Sequence, residues 1–149
     1  VKFKNMEPHL YNVDISWTKE RQGDMSSPEL STVIEIATPP QFPNGVEGIW
    51  SPEHLFTSAV ASCLMTTFLS IAENSKLEFT AFSCKSHGKL EQIEGKFLMT
   101  EVILEPTVTI ANESDREKAD RVLQKSEQHC LISNSIKSKV TMNTNIILK

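Results

Sequence analysis

The sequence predicts an α+β fold, a mostly antiparallel sheet around one long buried central helix. Three observations carry this. Residues 11–18 and Leu30–Ala37 alternate or cluster apolar residues as strands do. Residues 79–88 and Lys96–Ile110 are rich in the Val, Ile, Thr and Phe that fill pleated sheets. Between these pairs, residues 51–74 run at helical length with no charge between Glu53 and Glu73, apart from the titratable His54. The order reads β-β-α-β-β-α-β in a single domain, residues 1–149.

In the first strand Tyr11, Val13, Ile15 and Trp17 share one face. Residues 19–28 read as a polar turn punctuated by Gly23 and Pro28, which makes the first two strands a hairpin. Residues 38–48 form a loop by composition, with Pro39, Pro40, Pro43, Gly45 and Gly48. Ser51 suits an N-cap, Pro52 the first helical position, and Glu53 faces the positive end of the helix dipole. The next two strands turn near residues 91–95, and Pro106 predicts an edge position or a bulge. Asn112 or Ser114 caps a second helix over residues 113–129, with Ala119, Val122 and Leu123 on one face and Cys130 at its end. Residues 133–139 hold a helical turn, and residues 140–148 close the chain as a strand.

The 149 residues suffice for one domain with a real core. A net charge of −4 with no run of Lys or Arg argues against nucleic acid as a partner. Thr57, Ser58, Ser62, Thr66, Thr67 and Ser70 interrupt the long helix, which argues against a membrane span. The N-terminus has no basic region followed by an apolar core, so no signal peptide is expected in this chain. Three cysteines with no CxxC fit neither a disulfide scaffold nor a structural zinc site, and point to a cytoplasmic protein with individually placed thiols.

A surface helix carries one apolar stripe and one charged face. The helix over residues 51–74 lacks the charged face, so it reads as buried on most sides. One sheet covers one side. The simplest cover for the other is the same helix of a second chain, with Ser58, Ala59, Ala61 and Ser62 permitting close approach. Cys63 stands at its centre. A buried thiol is usually an inert small hydrophobe, and reactivity requires a cation to stabilise the thiolate. No Lys or Arg lies within the helix to provide it.

Two stretches resemble the osmotically inducible protein C / organic hydroperoxide resistance (OsmC/Ohr) family. PEHLFTSAVASC carries Pro52, Glu53, Leu55, Ala59, Ala61 and Cys63. HCLISNSIKSKV carries His129, Cys130, Ser133 and Asn134. The resemblance covers essentially the whole chain. It implies an intertwined homodimer whose long helices are enclosed by sheets from both chains. It also implies a thiol peroxidase that reduces organic hydroperoxides with no metal or flavin. Cys63 would be the peroxidatic cysteine and Cys130 the resolving one. Arg21, in Arg21-Gln22-Gly23, matches the family arginine that activates the thiolate, and Glu53 matches the glutamate that orients it. An external thiol or dithiol would reduce the Cys63–Cys130 disulfide. Two positions depart from the family pattern. Leu131 stands where proline usually follows the second cysteine, and Ile132 near where the organic-hydroperoxide subgroup carries an aromatic residue.

Simpler readings stand beside these. Arg21 alone would be a solvated charge and Glu53 a dipole partner. Cys84 lies in a strand and packs. His54, His87 and His129 follow no metal-ligand spacing. His129 and Cys130 are adjacent and point about 100° apart on a helix, a poor nucleophile–base pair. Met65 and Phe68 read as interface packing, Trp50 and Phe42 as core or rim. The alternatives to a peroxidase are an OsmC-fold homodimer that binds an apolar small molecule without turnover, and a cysteine acyl-transfer enzyme with a histidine close to Cys63.

Overall fold

The computed structural model describes residues 6–149. By internal contacts the chain divides into two compact units, Val1–Pro52 and Glu53–Lys149.

The first unit is a three-stranded antiparallel sheet of β1 (Asp14–Lys19), β2 (Gln22–Ser27) and β3 (Leu30–Ala37), paired in chain order. β2 corrects the sequence reading, which placed a polar turn over residues 19–28. Its sequence, QGDMSS, shows no apolar alternation. It is extended because ladders on both sides claim its backbone groups, and pairing overrides weak propensity. Gly23 lets β1 and β2 close up, since a Cβ there would stand 2.6 Å from the Ser16 carbonyl oxygen. The loop after β3 returns at Trp50, whose carbonyl accepts from Ala37 N–H at 2.9 Å. The expected apolar face of β1 is present but uncovered, with Ile15 and Trp17 exposed.

The second unit wraps one long helix, α1 (Pro52–Asn74), over a four-stranded sheet. β4 (Ala81–Ile93) and β5 (Lys96–Ile110) form a long antiparallel hairpin, closed by the Glu94–Gly95 turn. A shorter helix, α2 (Arg116–Gln128), follows a 3-10 turn at Glu113–Asp115. The expected caps, Asn112 and Ser114, give way to this turn. Asn112 opens it without a side-chain cap, and α2 is tied down instead by Arg116. The guanidinium donates to Glu113 Oε1 at 2.5 Å and Oε2 at 2.9 Å, and to the Ile146 carbonyl at 2.6 Å. The single closing strand of the sequence reading is two, β6 (Lys139–Met142) and β7 (Asn145–Leu148), both parallel to β5. They meet β5 at 101–104 and 107–110, so Pro106 falls in the gap between them. The residue without an N–H thus stands where one side of β5 has no strand partner.

Even-numbered residues of β5, Val102, Leu104, Val108 and Ile110, face inward and are buried. Against them α1 buries Val60, Cys63, Leu64, Phe68 and Ala72; Val60, Leu64, Phe68 and Ala72 follow at intervals of four, with Cys63 beside Leu64, one helical stripe. Phe68 lies at the centre. Its ring meets Phe79 edge-on at 5.1 Å and Phe82 at 4.9 Å. Phe68 is therefore core within the chain, which corrects its reading as interface packing. The reverse face of α1 is open, with Met65 40% and Leu69 43% exposed. By length and composition alone α1 could cross a membrane, but its inner stripe packs on the sheet as a core helix does. Close contact depends on Gly88 of β4, where a Cβ would come within 2.0 Å of Thr57 Oγ1 and 2.7 Å of Met99 Cε.

Candidate active site

Cys63 and Cys130 meet in one apolar cluster. α1 presents Cys63 at its middle turn, β5 supplies Val102 and Leu104 beneath it, and Cys130 enters from the end of α2. Both thiols are buried and free. The Cys130 backbone is held from both sides. Its N–H donates to the Glu127 carbonyl at 3.2 Å, and its carbonyl accepts from Asn134 N–H at 3.0 Å. The Asn134 side chain donates to the Gln128 carbonyl at 3.0 Å, which locks the turn after α2. These contacts give Asn134, in the second motif, a physical task. Leu131, in place of the family's proline, points out and is 67% exposed.

The Cys130 thiol is pushed up to about 12. Burial is the main cause, because a thiolate there loses its hydration. A hydrogen bond from Thr67 works the other way, and the neighbouring Cys63 and Glu127 push up again. Cys130 is therefore a neutral thiol near neutral pH. Thr67 also reaches Cys63, its Oγ1 4.0 Å from Cys63 Sγ. Sequence reasoning passed over Thr67 as a polar interruption of the helix. The signal was its position four residues after Cys63, which places the two side chains on one face.

Of the four residues singled out from the sequence, the structure brings together Cys63 and Cys130. Glu53 lies in the first turn of α1. Its Oε2 is buried and has no hydrogen-bond partner among the described residues, as a carboxylate awaiting a donor would be. Arg21 lies in the first unit, in the turn between β1 and β2, after Glu20 in a left-handed conformation (φ 47°). Thr38 N–H donates to its carbonyl at 3.1 Å, and Trp17 Nε1 donates to the Glu20 carbonyl at 3.0 Å. The side chain is exposed and helps line an open cavity of about 280 Å³, with Trp17, Gly23, Ile36 and Pro52. Cys84, half-buried on β4, packs at the rim of the thiol cluster, its sulfur 3.5 Å from Ser86 Oγ.

The profile of the OsmC-like protein family matches residues 45–145, which span both cysteines and Glu53. The chain belongs to the OsmC-like family. The uncharacterised protein YmaD of Bacillus subtilis (strain 168) is 27% identical and is matched over 97% of both chains. An OsmC-like protein from Vibrio cholerae superposes with a TM-score of 0.82 at 22% identity, covering 92% of this chain and 99% of that one. A Legionella pneumophila structure described as an organic hydroperoxide resistance protein OsmC reaches 0.74 at 22% identity, over 95% and 100%. At these identities the structural matches establish the OsmC-like fold.

Proposed function

We propose that this OsmC-like protein is a cysteine-based peroxidase that reduces organic hydroperoxides through Cys63 and Cys130. The observation that carries the reading is the placement of two free thiols in one buried apolar cluster, one of them held protonated. The Cys63 thiolate attacks the terminal peroxide oxygen. The O–O bond breaks, the alkoxide leaves and takes a proton to become the alcohol, and Cys63 becomes a sulfenic acid. Cys130 then attacks the sulfenic sulfur. An S–S bond forms and water leaves. An external thiol or dithiol returns two electrons and two protons by exchange, restoring both thiols. Arg21 supplies the cation that favours the Cys63 thiolate and polarises the peroxide, and Glu53 orients it. The apolar lining favours organic hydroperoxides over hydrogen peroxide. Description of the L. pneumophila protein as an organic hydroperoxide resistance protein supports the same substrate class.

The working form is a homodimer in a reducing compartment, the cytoplasm. The open apolar face of α1, with Met65 and Leu69, and the uncovered β1 face with Ile15 and Trp17 support a second copy as cover. Turnover tests the reading. Wild-type protein should consume an organic hydroperoxide catalytically with dithiothreitol as reductant, and faster than it consumes hydrogen peroxide. Cys63→Ser should abolish turnover. Arg21→Gln should lower it on the order of 100-fold, the usual loss when one stabilising group is removed from a developing charge. Turnover unaffected by Cys63→Ser would sink the reading.

A further inference from the structure

α2 ends at Gln128, and the last carbonyls of a helix have no partner within it. The Gln128 carbonyl finds one in the side-chain amide of Asn134, which donates to it at 3.0 Å. The backbone N–H of the same residue donates to the Cys130 carbonyl at 3.0 Å. Asn134 thus grips the chain just before Cys130 and at Cys130 itself. Beside it, Ser135 Oγ donates to the Leu131 carbonyl at 2.6 Å and Ser135 N–H to the Ile132 carbonyl at 3.0 Å. Leu131 has no ring to fix its φ. The shape of the turn therefore depends on these hydrogen bonds and on Ile132 and Ile136, which pack on the cluster that holds Cys63 and Cys130. Asn134 itself is exposed, so changing it empties no core site.

We propose that Asn134 is a positioning residue for disulfide closure, its side chain a clasp that ties the turn after α2 to the helix end and so holds Cys130 where it can reach Cys63. This rests on the Cys63–Cys130 pairing of the proposed function. A disulfide is demanding in geometry, with its two Cβ atoms about 3.8 Å apart and a set dihedral angle. Cys63 is fixed in the middle of α1, with helix on both sides. Cys130 lies just past the end of α2. There its N–H makes one long bond, to the Glu127 carbonyl at 3.2 Å, and Asn134 supplies the hold from the other side. Without the clasp the turn samples more conformations, and fewer of them bring Cys130 onto Cys63. An oxidant that meets Cys63 first needs nothing from Cys130. Loss of the clasp therefore slows the second step of oxidation and leaves the first unchanged.

The test uses diamide, which needs no peroxidase activity. The Cys63 sulfur adds to one nitrogen of its N=N bond, and the other nitrogen takes the proton. Cys130 then attacks Cys63: the S–S bond forms, the S–N bond breaks, and the hydrazine product leaves with the proton that Cys130 gave up. Peptide mass spectrometry of quenched samples follows adduct and disulfide in wild type, Asn134→Ala and Asn134→Asp. Asn134→Asp keeps the shape but puts an acceptor where the amide donated. Both variants should form the Cys63 adduct at the wild-type rate and convert it to disulfide about fivefold more slowly, the usual worth of one hydrogen bond between neutral groups. Iodoacetamide labelling of Cys84, at the rim of the cluster, should match wild type. Equal conversion rates in all three proteins would overturn the inference. So would Asn134→Asp converting as fast as wild type, since the donor would then be irrelevant, or no Cys63–Cys130 closure in wild type. Slower adduct formation or faster Cys84 labelling in both variants would also overturn it, because general loosening would then be the cause. A wild type that closes with diamide but ignores organic hydroperoxides would overturn the peroxidase reading and leave Asn134 in its role.

Discussion

At Cys130 burial pushes the thiol up to about 12 from an ordinary value of 9.0, and this has a consequence for stability. The folded chain holds the proton more tightly than the unfolded one. Below the ordinary value both states are protonated and the contribution is fully present. As pH rises past it, unfolded chains lose the proton and folded chains do not, so stability falls until the folded value is reached. Urea midpoints should therefore decline from about pH 9 upward, and less steeply in Cys130→Ala than in wild type. Equal slopes in the two proteins would contradict the assignment. The cysteines show what a sequence can and cannot yield at this scale. Cys63 and Cys130 lie 67 positions apart, and nothing in composition or spacing pairs them. Motif resemblance singled out both, and the tertiary fold places them in one cluster as free thiols. The contact of Thr67 with Cys63 was legible in principle by helical spacing, four positions apart on one face.

α1 was readable nearly to the residue, because Pro52 opens it and a long charge-free run sustains it to Asn74. The β4–β5 hairpin was readable from its Val, Ile, Thr and Phe content. β2 was not, since QGDMSS acquires its strand character from partners on both sides rather than from its own side chains. The same holds for the parallel placement of β6 and β7, which depends on where the chain returns after α2. Gly88 belongs to this scale. It sets how closely β4 approaches α1, and Gly88→Ala should destabilise the protein by about 1–3 kcal/mol through overpacking against Thr57. Thermal melts of the two proteins check this, and a melting temperature unchanged from wild type would mean that Thr57 moves aside freely.

Across the whole molecule, apolar surface remains where the sequence led one to expect burial. Trp17 is 77% exposed on β1, and Met65 and Leu69 are open on α1. A charge-free helix face is compatible with a monomer's core only if something covers it, and a second copy is the cover proposed here. Sedimentation at low micromolar concentration should give the mass of a dimer, and Met65→Glu with Leu69→Glu should shift it towards monomer. A wild type that sediments only as monomer would contradict this.

The proposed peroxidase uses Cys63 and Cys130 as a peroxide-driven pair. Its most direct test is to treat the reduced protein with one equivalent of an organic hydroperoxide and map the cysteines by peptide mass spectrometry. A prompt Cys63–Cys130 disulfide is expected, with Cys84 still a thiol, and no disulfide in Cys63→Ser. Three unreacted thiols, or a disulfide that forms equally well without Cys63, would contradict it.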